Sequence, residues 1–401
     1  MRYYYLILLS CILGLAVSLT LADERQTEPL TLQWSPNGLW VARGYTDGTI
    51  VLTSLNIANK PVELKFDGSI STIAWAPDSS RLAASVRGTG QILIWDVAKG
   101  SLLQILQGDV PFNNGGTQLA WNPKKEILAS ATVEGDGGMF VRFWDAQTYT
   151  QIGVSGNYIV PNFMKWNPDG SILAVTDAAY GLMLYDTFVG ENIVSRGEVP
   201  GISYIDWSPD GAQIAAVEYT SRAEMENRVA RYETDSWVTI LDTNTLKEVM
   251  QITESVHNAM GPVLWSQDGQ RIALLAPNYV QIVDADSKKV VEQYSVPSYN
   301  FNAAWSPFGG RFAVAEMTDL PSDTSAVDEI QILIPAPTSE LLDSIQAQCV
   351  PEGVVSKLPN AATANITSYI EAVMADPSIS EGCADDLVAV AEALQVEQKS
   401  Q

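Results

Sequence analysis

Over most of the chain, apolar and polar residues alternate with a period of two in short runs, and the runs are separated by turn residues. Residues 205–217, I-D-W-S-P-D-G-A-Q-I-A-A-V, show the unit. The alternation puts Ile205 and Trp207 on one face, so it predicts a strand with one buried side. In the Ser-Pro-Asp-Gly that follows, proline presets φ, aspartate tolerates the next position and glycine closes the turn. A second apolar run then completes a hairpin.

The hairpin recurs. Aligned on tryptophan, the copies fall at Trp34, Trp75, Trp121, Trp166, Trp207, Trp265 and Trp305, at intervals of 40 to 58 residues. Two residues before each tryptophan stands Leu32, Ile73, Leu119, Met164, Ile205, Val263 or Ala303. Glycine closes the turn at Gly38, Gly170, Gly211, Gly269 and Gly309; Ser79 and Lys125 are the exceptions. Eight residues after every tryptophan comes alanine: Ala42, Ala83, Ala129, Ala174, Ala215, Ala273 and Ala313. Alanine is a poor strand former, so its recurrence needs a reason. The expected one is a taper: inner strands that converge on an axis admit only small side chains. A large apolar residue precedes each alanine (Val41, Leu82, Leu128, Leu173, Ile214, Ile272, Phe312) and is expected to fill the gap between sheets. Third strands end in Asp96, Asp145, Asp186, Asp242 and Asp284, whose carboxylates can bond amides of the next turn.

A repeat of this length is that of a four-stranded propeller blade. The fold class expected is all-β, a seven-bladed β-propeller with a small C-terminal α-helical extension. The copies resemble the WD-repeat family, through A-W-A-P-D-S-S-R-L-A-A-S with I-L-I-W-D at 74–96 and W-S-P-N-G with Y-T-D-G-T-I at 34–50. The resemblance covers roughly residues 30–334. The W-S-P-D-G form is also similar to periplasmic TolB-type propellers, which are interaction modules. Many blades of the family carry a histidine before the first strand, but this chain has only His257, so apolar packing alone is expected to hold its blades. Ring closure is open at this level: the last repeat supplies three strands, and only Asp23 to Pro29 stand upstream to add a fourth.

The two ends differ from the repeats. Tyr3 to Ala22 carries no charge after Met1-Arg2, and Asp23-Glu24-Arg25 restores polarity. This reads as a secretory signal over residues 1–22, cleaved before Asp23, with an uncleaved membrane anchor as the rival reading. Either way the rest of the chain lies outside the cytoplasm: secreted, periplasmic or cell-surface. The propeller is expected over 23–334, a proline linker over 335–338 and a helical domain over 339–401. Ser339 can cap one helix, Ile366, Ile370 and Val373 form a second stripe, and Ser380 can cap a third that carries Cys383, Leu387, Ala391 and Leu394. Cys349 and Cys383 are the two cysteines of the mature chain, and an even pair in an exported protein predicts one disulfide.

Charge and chemistry narrow the function. A net charge of −24 argues against nucleic acid and anionic lipid as partners, and no membrane insertion is expected once the signal is cleaved. One histidine leaves no Ser-His-Asp site with a glycine-framed nucleophile and no common His/Cys zinc site. No cofactor is expected. Asp177, Glu218 and Glu316, eleven residues after their tryptophans, could meet at a channel mouth and hold a cation such as calcium, or form only a solvated acidic rim.

The second-to-third-strand connections of repeats five and seven are long, Tyr219 to Ser236 and Met317 to Asp328. Loops gathered on one face predict a recognition surface. Its candidate residues are Tyr219, Arg222, Arg228, Arg231 and Tyr232, with Phe112 and Tyr158 on neighbouring connections. The rival reading pairs Arg222, Arg228 and Arg231 with Glu224, Glu226 and Glu233 in a solvated loop. Two functions stand: a non-catalytic extracytoplasmic binding or scaffold protein with a protein or other macromolecular partner, or a carboxylate- or metal-dependent propeller enzyme, a lyase or hydrolase.

Overall fold

The computed structural model describes residues 19–400 except 24–28, 55–59, 109–116, 134–138, 155–160, 178–180, 187–191, 197–200, 227–228, 253–260, 277–278, 296–300, 317–327, 334–338, 356–357 and 359–365. His257 lies outside the described residues. The alternating runs pair as antiparallel sheets of four strands, and the fold is a β-propeller followed by helices. Repeats one to six each form one blade from consecutive strands; the first comprises Pro29–Trp34, Trp40–Tyr45, Thr49–Ser54 and Val62–Lys65. Blades complete within one repeat thus number six rather than seven. The last repeat supplies Phe301–Trp305, Phe312–Glu316 and Asp328–Leu333, and its sheet is completed by Leu19–Asp23 from the other end of the chain. That strand lies upstream of the expected Asp23–Pro29, and its residues 19–22 overlap the segment read as a leader. Leu19 pairs with Ile332 and Asp23 with Asp328.

The core falls between blades. One apolar cluster fills each seam, and in every seam the recurring alanine of one repeat packs with the tryptophan of the next. Ala42 lies with Trp75, Ala83 with Trp121, Ala129 with Trp166 and Ala174 with Trp207. Ala215 lies with Trp265, Ala273 with Trp305, and Ala313 with Trp34, which joins the last repeat to the first. All seven alanines are 0% exposed. The indole of the neighbouring blade therefore accounts for the small residue, in place of the expected taper at the axis. The large residue before each alanine packs in the opposite seam: Leu82 shares a cluster with Ala42 and Trp75.

Apolar packing does not hold the blades alone, contrary to expectation. Trp34 Nε1 donates to the Ala304 carbonyl at 3.1 Å, Trp166 to Ala120 at 3.0 Å, Trp207 to Lys165 at 3.2 Å and Trp305 to Leu264 at 3.1 Å, each in the preceding repeat. Three arginines, each six residues after a tryptophan, stack on the next indole. Arg81 lies 5.1 Å from the Trp121 ring, Arg271 5.2 Å from Trp305 and Arg311 5.0 Å from Trp34. Asp206 accepts from the Trp265 amide at 2.8 Å and pairs with Lys165 at 2.6 Å, linking three repeats.

Turn chemistry follows the expected residues. Gly38, Gly170, Gly211, Gly269 and Gly309 have φ from +71° to +80°, and Ser79 takes the same left-handed conformation at +60°. Third-strand aspartates accept amides of the following turn: Lys99 on Asp96, Thr148 on Asp145, Thr245 on Asp242 and Ser287 on Asp284.

The tail forms α1 (Ser339–Cys349), α2 (Glu352–Val355), α3 (Ile366–Ala375) and α4 (Glu381–Ser400). Leu341, Leu342, Ile345, Val373 and Leu387 share their own core with Tyr369. Ser380 caps α4 through the Cys383 amide, and Cys349 and Cys383 are disulfide-bonded as expected. No described helix is long and apolar enough to cross a membrane.

Candidate functional site

Four antiparallel strands per blade give the ring two chemically different ends. Connections after first and third strands open at one end, and those after second and fourth strands at the other. The turn end carries the Ser-Pro-Asp-Gly turns and the aspartate-capped turns. Because Asp328–Leu333 is a third strand, the tail also leaves the last blade at the turn end.

The loop end is distinguished by repeat five. Its central strands, Gln213–Glu226 and Val229–Asp242, are 14 residues each, against 6 in the second strand of repeat one. The connection expected to be a loop is therefore an antiparallel arm. About eight extra residues at 3.3 Å each carry it roughly 25 Å past its blade. Its register sets Arg222 opposite Glu233, Ala223 opposite Tyr232, Glu224 opposite Arg231 and Met225 opposite Ala230.

At the base of the arm, buried Glu218 accepts from Trp237 Nε1 at 2.9 Å and Thr239 Oγ1 at 2.8 Å through the same oxygen. This carboxylate is turned into its own blade, and its bonds fix the two strands where they leave the ring. Tyr219 is half-buried, and a Cβ at Gly201 would sit 2.5 Å from its ring. Tyr219 therefore packs on the neighbouring first strand and helps root the arm.

Of the three carboxylates expected to share a cation, the side chains of Asp177 and Glu316 lie outside the described residues. Asp177 and Glu316 end their strands, Ile172–Asp177 and Phe312–Glu316, and Glu218 serves the arm. Among the described residues, no three His, Cys, Asp or Glu side chains are placed to hold a metal ion. Phe112, Tyr158 and Arg228 lie outside the described residues, as do most of 317–328. Arg222, Arg231 and Tyr232 lie on the arm.

Two signals were present but not read in the sequence. Arg222, Glu224 and Glu226 alternate with Ser221, Ala223 and Met225 at period two, which is strand spacing rather than loop composition. Arg81, Arg271 and Arg311 share one offset from tryptophan, and that offset marks the stacking position.

A ring of four-stranded antiparallel blades with tryptophan-sealed seams defines the class: a β-propeller. The chain is similar to WD-repeat β-propellers: residues 62–96 match the model of the WD domain, G-beta repeat. It is 25% identical over 205 residues to WD repeat-containing protein 1 of Xenopus tropicalis, which covers 48% of this chain and 32% of that protein. The same-named protein of Gallus gallus is 21% identical over 276 residues, 66% of this chain and 42% of the relative. Serine-threonine kinase receptor-associated protein of Dictyostelium discoideum is 24% identical over 200 residues, 49% and 64% of the two. The chain thus spans about a third to two thirds of the length of these relatives.

Proposed function

We propose that this chain is an exported, non-catalytic interaction module, a ring of seven blades when the composite sheet is counted, that recognises a protein partner from its loop end. The arm of repeat five carries the reading. Its register gathers Arg222, Glu224, Arg231 and Glu233 on one face as opposed unlike charges. The other face holds Ser221, Ala223, Met225, Ala230, Tyr232 and Thr234, with no charge. In a chain of net charge −24, an uncharged strip standing clear of the ring fits a neutral protein surface. A relative named as a receptor-associated protein, beside relatives named as WD repeat-containing proteins, agrees with a protein partner. Export is supported by the uncharged segment from Tyr3 up to the Leu19 strand and by the disulfide, which persists in oxidising compartments.

The test removes residues 221–234 and joins Thr220 to Asp235, opposite each other in the register, with a two-residue turn. Capture of native partners from the envelope or medium should be lost while the ring still folds. A second variant, Met225→Asp with Tyr232→Asp, should also lose capture, whereas exchanging Arg231 and Glu224 should retain it. Unchanged capture by the shortened protein rules out the arm.

A further inference from the structure

We propose that the helical tail is an intramolecular clamp on the seam between the last and first repeats, with α4 supplying from a distance the turn carboxylate that the last repeat lacks. In repeat six, Asp268 accepts from Ser266 Oγ at 2.5 Å and the Gln270 amide at 3.0 Å, and it pairs with Arg271 at 3.1 Å. Arg271 then stacks on the indole of the next repeat. The last repeat has Phe308 at that position, in W-S-P-F-G-G, and Phe308 packs against the tail core.

Asp386 of α4 takes over all three contacts. It accepts from Ser306 Oγ at 2.5 Å, from the Gly310 amide at 3.1 Å and from Arg311 Nε. Asp386 is 0% exposed, and Asp385 stands 4.0 Å from the same guanidinium. Arg311 in turn lies over Trp34 of the first repeat. One turn earlier on α4, Gly382 rests on the first repeat itself: a Cβ there would overlap the Asn37 carbonyl oxygen and lie 3.0 Å from Gly38 Cα. Cys383, beside it, ties this contact to α1 through the disulfide. A single helical segment therefore touches both sides of one seam. The blade on one side of that seam is finished by a strand from the other end of the chain, which is paired with Asp328–Leu333.

The experiment is amide hydrogen exchange of the full-length, oxidised protein. It compares peptides over Pro29–Trp34 and Phe301–Trp305 with peptides over Pro161–Trp166 and Gly201–Trp207. Asp386→Ala should speed exchange by about tenfold or more at the first two and leave the second pair within about twofold. Gly382→Val, which wedges the helix off the first repeat with the carboxylate intact, should do the same. Faster exchange confined to residues 339–400 would overturn the clamp and make the tail an appended module. Equal acceleration of all four peptides would overturn it too, since the effect would then be global.

Discussion

The seat of the recurring alanine can be tested by a double-mutant cycle at one seam, Ala129→Val with Trp166→Phe. Ala129 is 0% exposed and shares its cluster with Trp166, itself 4% exposed, and with Leu173. Strand preference alone favours valine by up to about 1 kcal/mol. Two extra methyl groups under a fixed indole cost about 1–3 kcal/mol in overpacking, so the net expectation is a loss of about 1–2 kcal/mol. Trp166→Phe alone gives up the Nε1 bond to the Ala120 carbonyl, about 1 kcal/mol net, together with part of the packed ring. The smaller ring also makes room for valine. The double variant should therefore be more stable than the sum of the singles by about 1 kcal/mol or more. Equilibrium urea unfolding at neutral pH, fitted for each of the four proteins, gives the coupling. A taper at the propeller axis would crowd the valine regardless of the ring at 166. Additivity within about 0.5 kcal/mol, or a stabilising Ala129→Val, would refute the indole seat.

Four further outcomes are expected. Cys349→Ala with Cys383→Ala should destabilise the tail by about 3–4 kcal/mol for a closed loop of 34 residues, and intact oxidised protein should take up no alkylating label without reductant. The carboxyls of Asp96, Asp145, Asp242 and Asp284 are held below their ordinary range, chiefly by the Lys99 ammonium, the Thr148 amide, and the Thr245 and Ser287 hydroxyls respectively. Depressed folded values mean that their stabilisation is fully present above about pH 4 and is lost as pH falls through the folded values, so the melting temperature should drop there; a flat profile would contradict the turn bonds. Burial pushes the Tyr369 phenol up to about 12, so the tail should lose stability as pH rises from about 10, where the unfolded chain gives up its proton first; Tyr369→Phe should remove that step while also breaking the Gln346 bond. A protein beginning at Leu19 should be more stable than one beginning at Asp23 by about 1–3 kcal/mol, the worth of four cross-strand pairs with Asp328–Leu333, and equal urea midpoints would mean that this strand does not close the sheet.

What was legible in the sequence is what repeats. Trp207 and Ala215 announce their roles because six other copies show the same spacing, Asp242 because four other third strands also end in aspartate, and a local rule of strand period and turn chemistry explains each. The reason for the alanine was not legible: Ala129 meets Trp166 only after the ring has set two blades face to face. Arm and loop differ by a register that composition hides, since Arg222 and Glu233 look the same in a solvated loop as across a ladder. The lack of charge in Tyr3 to Ala22 reads as a leader, while Leu19-Thr-Leu-Ala-Asp23 also alternates as a strand.

The last repeat shows most sharply where local rules stop. Its turn breaks the pattern at Phe308, a departure visible in the sequence, but the residue that compensates stands far along the chain on a helix with a different period. Nothing near Asp386 marks it: Cys383-Ala-Asp-Asp-Leu387 reads as a helix with two exposed carboxylates, and acidic residues are abundant in this chain. Only the buried arginine makes the assignment physical. Arg311 is 5% exposed, and a guanidinium so deeply covered requires a paired carboxylate. In repeat six that carboxylate comes from the turn, and in the last repeat the turn has none. A buried arginine beside a turn that has lost its aspartate therefore calls for a carboxylate elsewhere in the chain, and Asp386 on α4 supplies it.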